Sequence, residues 1–355
     1  MDNVPEEATN ITEFFRLTAS DLSISQDTFY DVDDPEDIDF VFGEITEDIL
    51  YKEGYFKYAG QIETEFDSEA KYYYNDSYFY NLATEYNPFL ATMSLNLELA
   101  SWSSYNKDNW YNPNYKQEDN QFWQDKLCNI KTLLLGSAEK ETGYEGLGFS
   151  DFKANYFWGK APTKDSIGVC AARKQITDKK GEQCTLVAVA VRGGGYGAEW
   201  SSNFTIGLED EHDGFATARD NTLDFIDDYI SNLCKEESTK IKLRITGYSR
   251  VGATANLVAG ALNSYHHLPN NIITNNDNVY CYTFEAPQGS TKSIVDDKNY
   301  NHENIFNIRN LNDLVPLIAP SAWDFAKYNY QDDIMFPSKY LSKNFTTQNI
   351  ICLNS

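Results

Sequence analysis

Ser249 lies at a point in the chain where a serine can act as a nucleophile. The segment 240–246 before it is predicted to be a strand, and the segment 250–265 after it a helix rich in small residues. A serine between such a strand and helix can be held in a strained backbone conformation that exposes its hydroxyl, an arrangement called a nucleophile elbow. The N–H of the next residue, Arg250, then faces the oxygen on which negative charge develops. This pattern predicts acyl transfer through a covalent intermediate.

The alternative role for Ser249 is that of an ordinary helix N-cap, which serines fill in many proteins. The spacing of Gly247, Ser249 and Gly252 is by itself weak evidence for chemistry. It does fit an elbow, because strand and helix approach each other closely there and small residues leave the necessary room.

Two other segments place functional groups at the ends of predicted strands. The apolar run 186–191 leads directly into Arg192 and the glycines 193–195, and the predicted strand 304–308 is followed by Asp313. Glycine lets a backbone N–H approach a bound group closely, and a carboxylate just past a strand end can orient an imidazole. Taken alone, Asp313 fits an ordinary loop aspartate better than a catalytic one.

Four segments in this order resemble those of the fungal-type (class 3) lipases within the α/β-hydrolase superfamily. They resemble even more closely the lipase-like hydrolases of gut and rumen bacteria, over about residues 70–340. The segments that carry the resemblance are Arg192-Gly-Gly with the later Trp200, the Ser249 elbow, Phe284-x-x-Pro287, and Asn312-Asp-x-Val-Pro316.

The resemblance implies a role for each matched position. Ser249 would be the nucleophile, and Asp313 would be the acid that orients a histidine. The backbone amides of Gly194 and Arg250 would form the oxyanion hole. The implied reaction is hydrolysis of carboxylic, lipid-type esters through an acyl-enzyme, which needs no metal and no cofactor.

Two departures from the family pattern bear on activity. The family has a glycine two residues after the serine, whereas this chain has Val251 there and the glycine is displaced to Gly252. A β-branched side chain at that position is expected to press on the neighbouring strand or to relax the elbow, and a 1 Å shift can cost about 10²-fold in rate. The second departure is that no histidine follows Asp313, although the family order is Ser, Asp, His.

The four histidines differ in where the predicted elements place them. His302 precedes the strand whose far end carries the acid, so it should lie at the opposite edge of the sheet. His266 and His267 should lie at the far end of the elbow helix. His212 falls on the same side of the sheet as the elbow, and its loop position favours a structural or substrate-contacting role.

A serine without a base is a weak nucleophile, so more than one function stays open. The first is a serine ester hydrolase, impaired or inactive as the chain stands, with Ser355 expected to be a premature end that leaves out the histidine segment. The second is a binding or interaction protein that keeps the hydrolase fold but has lost its chemistry. A third, an acidic structural protein of the same fold class, leaves the four matched segments unexplained.

The elements around these residues predict an α/β fold. After Gly146, short β-branched runs alternate with longer amphipathic ones, which favours a mostly parallel sheet flanked by helices. From residue 72 to about 135 the apolar pattern is helical. The predicted strands are 166–176, 185–191, 240–246, 279–284 and 304–308, and the predicted helices 215–234 and 250–265.

The negative charge is concentrated at the N-terminus. Residues 1–70 contain 20 acidic and three basic side chains, so they carry a net −17 of the chain's −25. Frequent aromatic residues predict that this acidic, partly helical extension packs at least partly onto the rest. The predicted organisation is the extension over 1–70 and an α/β-hydrolase-like domain over 71–355 that is incomplete at its C-terminus.

The overall charge of −25 opposes binding to nucleic acid through a basic patch. No apolar run reaches the length of a transmembrane segment, so the expected partner is a small-molecule or lipid ester, and the oligomeric state stays undetermined. Residues 1–20 contain no signal peptide. The chain is expected to be cytoplasmic, or secreted if Met1 replaces a removed leader.

The cysteines give no indication of a metal site. The six cysteines form no C-x-x-C pair, and no histidine stands at zinc-ligand spacing. Cys170 and Cys184 fall in consecutive predicted strands that are joined by a turn at 179–181, so they could face each other.

Overall fold

The structure is a computed structural model of the 355-residue chain. The residues that it describes are 52–57, 69–101, 128–136, 146–157, 167–192, 212–233, 240–272, 274–310, 313, 315–317, 321, 324–330 and 334–336.

A seven-stranded sheet forms the centre of the molecule. Its strands, in spatial order, are β11 (Ile334–Phe336), β9 (Ile305–Asn310), β7 (Val279–Phe284), β6 (Lys240–Tyr248), β5 (Gln183–Val191), β4 (Ile167–Thr177) and β3 (Ser150–Phe157). The five strands from β11 to β5 run parallel to one another, whereas β4 is antiparallel to both β5 and β3. The carboxyl ends of five strands therefore meet at one edge of the sheet.

Helices cover both faces of this sheet. On one face lie α1 (Pro88–Ser101) and α2 (Cys128–Leu135), and on the other lie α3 (Asp213–Leu233) and α4 (Arg250–Ser264). Strands β5 and β7 are buried on both sides for this reason, β5 at every residue after Gln183 and β7 along its whole length. A sheet covered on both faces needs such unbroken apolar runs.

Polar side chains of β6 hold α1 against the sheet. Arg244 is fully buried, and its Nε and Nη2 donate to Ser94 Oγ at 3.2 and 3.1 Å. Two residues further along the same face of β6, Thr246 Oγ1 donates to the Ser94 carbonyl at 3.2 Å. Burial lowers the pKa of Arg244 to about 10, which still leaves the guanidinium charged at neutral pH.

The elements outside the sheet are short. Strands β1 (Lys52–Lys57) and β2 (Glu69–Tyr74) form an antiparallel pair. Strand β8 (Ser290–Thr291) pairs with β10 (Phe325–Ala326), and a four-residue helix, α5 (Lys292–Val295), follows β8.

Most of the elements predicted from the sequence are confirmed to within about two residues. The predicted turn at 179–181 is also present, with Gly181 at φ 80°. The helical prediction from residue 72 onward is wrong at its start, because 72–74 belong to β2. Strands β3 and β11 were not expected, since β3 has no regular alternation of polar and apolar residues and β11 has only three residues.

The part of the predicted acidic extension that the structure describes consists of β1 and the first two residues of β2. Both are strand rather than helix, and both contain consecutive aromatic residues, which favour strands. The remaining residues of the extension lie outside the described part of the chain. Among the described residues, no helix is both long enough and apolar enough to cross a membrane.

Cys170 and Cys184 do not face each other across the β4–β5 ladder. Cys170 is opposite Ala190, and Cys184 is opposite Ile176, so six positions of the register separate the two thiols. Both cysteines are buried and reduced, and burial raises the pKa of each thiol. They behave as small core residues.

Candidate active site

Three parallel strands bring polar residues to the same edge of the sheet. Ser249 directly follows β6, Glu285 follows β7, and Asp313 comes three residues after β9. Arg192 follows β5 at the same edge. Sequence positions more than 120 residues apart thus converge, as the parallel arrangement predicts.

The backbone of Ser249 is strained. It adopts φ 58° and ψ −132°, a conformation that residues other than glycine rarely occupy. The Ser249 N–H donates to the carbonyl of Phe284 in β7 at 2.8 Å, and the Ser249 carbonyl accepts the N–H of Gly252 at 2.8 Å. Hydrogen bonds on both sides therefore hold the strained residue in place, as in a nucleophile elbow.

The N-cap alternative predicts a bond that the structure does not contain. A capping serine accepts the N–H of the second or third helical residue with its side-chain oxygen. Ser249 occupies the N-cap position of α4, but its side chain forms no capping hydrogen bond. Its half-buried hydroxyl is therefore not engaged in capping the helix.

Two glycines allow α4 to begin so close to the sheet. A Cβ at Gly247 would lie 2.3 Å from the carbonyl oxygen of Val251, and a Cβ at Gly252 would lie 3.0 Å from both Phe284 O and Ala286 Cβ. Contacts at such distances leave no space for a side chain at Gly247 and very little at Gly252.

Val251 does not relax the elbow, contrary to the expectation from its β-branched side chain. It is fully buried in the apolar core between the sheet and helices α3 and α4. Gly252, one position later and about 100° further around the helix, is the residue that touches β7. Val251 therefore faces the core, and Ser249 keeps its positive φ.

Only one of the two predicted oxyanion-hole residues can be located. Arg250 is the first residue of α4, and its N–H belongs to the helix N-terminus, where backbone donors have no partner within the helix. The Arg250 side chain is 5% exposed. Gly194 and Trp200 lie outside the described residues.

Asp313 is largely buried, with 9% of its surface exposed. Its Oδ1 accepts the N–H of Val315 at 2.9 Å, which fixes the carboxylate in a tight turn. A carboxylate held in this way at the carboxyl edge of the sheet is in the right region to orient a base.

No histidine is hydrogen-bonded to Ser249, and all four lie within the described residues. His212 is at the correct edge, because its N–H donates to Gly289 O at 3.0 Å, in the segment after β7. Its ring is fully buried and stacks on Phe215 with centroids 4.0 Å apart. This packing favours a structural role for His212.

The other histidines lie at the opposite end of α4. His302 Nδ1 is 3.4 Å from Asn263 Nδ2, and His266 Nε2 is 3.1 Å from Asp227 Oδ1. Because Asn263 comes 14 residues after Ser249, about 20 Å of helix separate it from the elbow. The structure thus places His302 where the strand direction predicts it.

Acidification should destabilise the protein through His302. Burial lowers the pKa of His302 from 6.5 to about 4, although Asp297 opposes the shift. The unfolded chain therefore binds this proton between pH 6.5 and 4 while the folded chain does not, so the free energy of unfolding falls by up to about 3 kcal/mol across that interval. Urea unfolding at several pH values should show a flatter profile for His302→Gln and the wild-type profile for the exposed His267→Gln. A His302→Gln profile as steep as wild type would contradict this expectation.

Two buried charged residues at this edge were not singled out from the sequence. Glu285 is 8% exposed and has φ 48°, with its N–H donating to Ile308 O at 2.9 Å. Lys327 is 2% exposed, and its Nζ donates to Ala286 O at 3.4 Å. Glu285 could have been identified from the sequence, because it is a charged residue directly after an apolar strand. Lys327 could not, because it follows a two-residue strand that no sequence pattern predicts.

Among the described residues, no group of three histidine, cysteine, aspartate or glutamate side chains is arranged to hold a metal ion. The chemistry that the described site can support is nucleophilic attack by a serine that shares the carboxyl edge of the sheet with buried carboxylates.

One protein-family profile matches part of the sequence. Residues 188–323 match the sequence profile of the family described as lipase (class 3). The matched range includes the elbow and the strand ends that carry Glu285 and Asp313. No curated protein matches the sequence.

Solved structures similar to this chain include several fungal lipases. A deletion mutant of the Rhizomucor miehei lipase propeptide complex is 20% identical, with a TM-score of 0.35, over 49% of this chain and 53% of that chain. A lipase from Rhizopus microsporus var. chinensis is 16% identical, with a TM-score of 0.34, over 48% and 58%. A triacylglycerol lipase described as having a serine protease triad is 19% identical, with a TM-score of 0.37, over 55% and 70%. The chain thus spans about half the length of the first of these lipases.

Proposed function

We propose, from the class 3 lipase match over residues 188–323, that this chain is a serine hydrolase of carboxylic, lipid-type esters that works through an acyl-enzyme. Ser249 is the nucleophile, Asp313 is the acid, and the N–H groups of Gly194 and Arg250 form the oxyanion hole. The observation that carries the proposal is the strained backbone of Ser249, with φ 58° and no capping bond from its side chain.

The reaction would proceed in two steps. Ser249 Oγ attacks the ester carbonyl carbon and its proton passes to a base that Asp313 would orient. Since none of the four histidines is hydrogen-bonded to Ser249, we expect turnover to be impaired in the chain as it stands. The bond to the leaving alkoxide then breaks, and the alkoxide departs as an alcohol with that proton. Water hydrolyses the acyl-enzyme by the same sequence. The helix N-terminus at Arg250 stabilises the negative charge on the carbonyl oxygen in both steps.

Backbone strain supports a chemical role for Ser249. A non-glycine residue at φ 58° and ψ −132° costs on the order of 1–3 kcal/mol. Strain of this kind persists where the surrounding structure enforces it, and it is concentrated at functional sites. A serine that only capped α4 would adopt extended backbone angles and accept a hydrogen bond from the first turn.

Labelling with a fluorophosphonate tests this proposal directly. A fluorophosphonate phosphonylates a serine, with loss of fluoride, only when the hydroxyl is activated, so wild-type protein should be modified at Ser249 and Ser249→Ala should not. Mass spectrometry locates the modification, and butyrate and palmitate p-nitrophenyl esters measure turnover. Turnover that persists in Ser249→Ala, or labelling at another residue, would refute the assignment of the nucleophile.

The second candidate function is a binding protein that keeps the hydrolase fold without the chemistry. The observation that favours it is that no histidine is hydrogen-bonded to Ser249. This alternative predicts that the folded protein is inert to fluorophosphonate, yet binds long-chain esters or fatty acids in a saturable manner. The same labelling experiment therefore separates the two functions.

A further inference from the structure

Two asparagines join the helix of the proposed nucleophile to the strand that leads to the proposed acid. Asn256 lies on α4, seven residues after Ser249, and Asn307 lies on β9, six residues before Asp313. Asn256 Nδ2 donates to Asn307 Oδ1 at 2.9 Å. Both side chains are at most 1% exposed, so this bond is shielded from competition by water.

The chain that follows the Asp313 loop is attached to the same two amides. Tyr328 N–H donates to Asn256 Oδ1 at 3.0 Å. Its carbonyl accepts from Asn256 Nδ2 at 3.1 Å and from Asn307 Nδ2 at 2.9 Å. Thr283 Oγ1, on β7, adds a bond to Asn307 Oδ1 at 2.8 Å. We call these four residues the asparagine bracket.

The asparagine bracket fixes both ends of the segment that contains Asp313. That segment leaves the central sheet at the end of β9, three residues after Asn307, and the chain is again in a strand at β10, which pairs with β8 and ends two residues before Tyr328. Because Asn256 also bonds both Asn307 and Tyr328 to α4, residues on either side of the Asp313 loop are held against the helix that begins at the elbow. Buried amides with all their partners rigidify the elements that they join.

A second pair of asparagines joins α4 to the start of β9, but it does not hold the chain on either side of Asp313. Asn263 Nδ2 donates to Asn304 Oδ1 at 2.6 Å, and Asn304 Nδ2 donates to Asn263 Oδ1 at 3.3 Å. This pair lies at the end of α4 that is far from Ser249, and within the described part of the chain its further contacts are with Val279 O and His302 rather than with the chain after Asp313. It therefore provides a matched control of the same chemistry.

We propose that Asn256 and Asn307 are positioning residues that set the place of Asp313 relative to Ser249. The proposal rests on the catalytic roles assigned to Ser249 and Asp313 above. Neither asparagine contacts the reacting atoms, and both act through the turn that holds Asp313. A displacement of about 1 Å in a catalytic group lowers the rate by about 10²-fold, so a loosened bracket should affect turnover strongly.

Amide hydrogen exchange tests the proposal without relying on turnover. The Val315 N–H is held by Asp313 Oδ1, so its exchange rate reports whether the acid's turn is intact. Exchange at Val315 should accelerate by about tenfold or more in Asn256→Ala and Asn307→Ala. It should stay within about twofold of wild type in Asn263→Ala.

Enzyme kinetics supply the second measurement. Asn256→Ala should lower kcat by about 10- to 100-fold with little change in KM, whereas Asn263→Ala should leave both within about twofold. In an Asp313→Asn background, Asn256→Ala should have almost no further effect, because both changes act through the same carboxylate. A purely structural role would give additive effects.

The outcomes separate this inference from the proposed function. Unchanged Val315 exchange in Asn256→Ala, or equal effects of Asn256→Ala and Asn263→Ala, would overturn the inference. If wild-type protein shows no Ser249-dependent turnover, the proposed function fails and the exchange measurement alone decides the inference. Thr283→Val, which removes one bond and keeps the side-chain shape, should accelerate Val315 exchange by about threefold and replaces any alanine variant that does not fold.

Discussion

Replacement of Ser249 by glycine should abolish ester turnover and, at the same time, make the protein more stable. All turnover that passes through the acyl-enzyme should disappear, because the oxygen that forms it is gone. The gain in stability should be about 1 kcal/mol, because glycine adopts φ 58° and ψ −132° without the strain that serine bears, even after its own loss of chain entropy is counted.

Ser249→Ala is the matched control for this double effect. Alanine removes the hydroxyl but keeps a Cβ, so it should lose turnover to the same extent without the gain in stability. Urea unfolding followed by tryptophan fluorescence gives the free energies, and hydrolysis of p-nitrophenyl butyrate gives the rates. Equal stability of the glycine and alanine variants would mean that no strain is stored at Ser249.

Gly247→Ala should be among the most damaging single methyl additions in the described part of the chain. The new Cβ would lie 2.3 Å from Val251 O and 2.7 Å from Val251 C, and both are backbone atoms that move only if α4 moves. We expect a loss of at least about 3 kcal/mol in the free energy of unfolding. Labelling of Ser249 by fluorophosphonate should fall as well, because the elbow must open to admit the methyl group.

Substitutions at two other glycines should lower the free energy of unfolding by smaller amounts. Gly252→Ala places a Cβ 3.0 Å from Phe284 O and Ala286 Cβ, so its cost should be smaller than that of Gly247→Ala. Gly289→Ala meets only the flexible end of Leu257, at 3.2 Å, and should cost less than about 1 kcal/mol. Thermal unfolding of the three variants should follow this order. A Gly247→Ala protein as stable as Gly289→Ala would contradict the close approach of strand and helix.

The sequence predicts an element correctly where the pattern of apolar and polar residues along the chain matches the way the element is buried in the fold. Strands β5 and β6 and helix α4 were predicted to within two residues, because the apolar run of β5, the alternating apolar residues of β6 and the small residues of α4 are each typical of one kind of element. The convergence of Ser249 and Asp313 followed from the parallel direction of the strands. The side of α4 that Val251 faces did not follow, because it depends on how the helix is rotated about its axis.

Other features depended on partners that lie far away in the chain. Nothing near Asn256 or Asn307 indicates that they meet, because 51 residues separate them and a buried asparagine has no periodic signature. Tyr328 occupies the space beside Gly260, where a Cβ would lie 2.1 Å from its ring, yet neither residue reveals the other in the sequence. Glu285 was overlooked because a charged residue after a strand is usually exposed to solvent.

The bond between Arg244 and Ser94 also has a consequence for the order in which this protein forms during synthesis. The two residues are 150 positions apart, and α1 buries its apolar side chains against β5, β6 and β7. A ribosome that adds about 5–20 residues per second reaches β6 on the order of ten to thirty seconds after it has made α1. For that time the sheet-facing side of α1 has no sheet to cover it, which makes this helix a natural binding segment for a chaperone during translation.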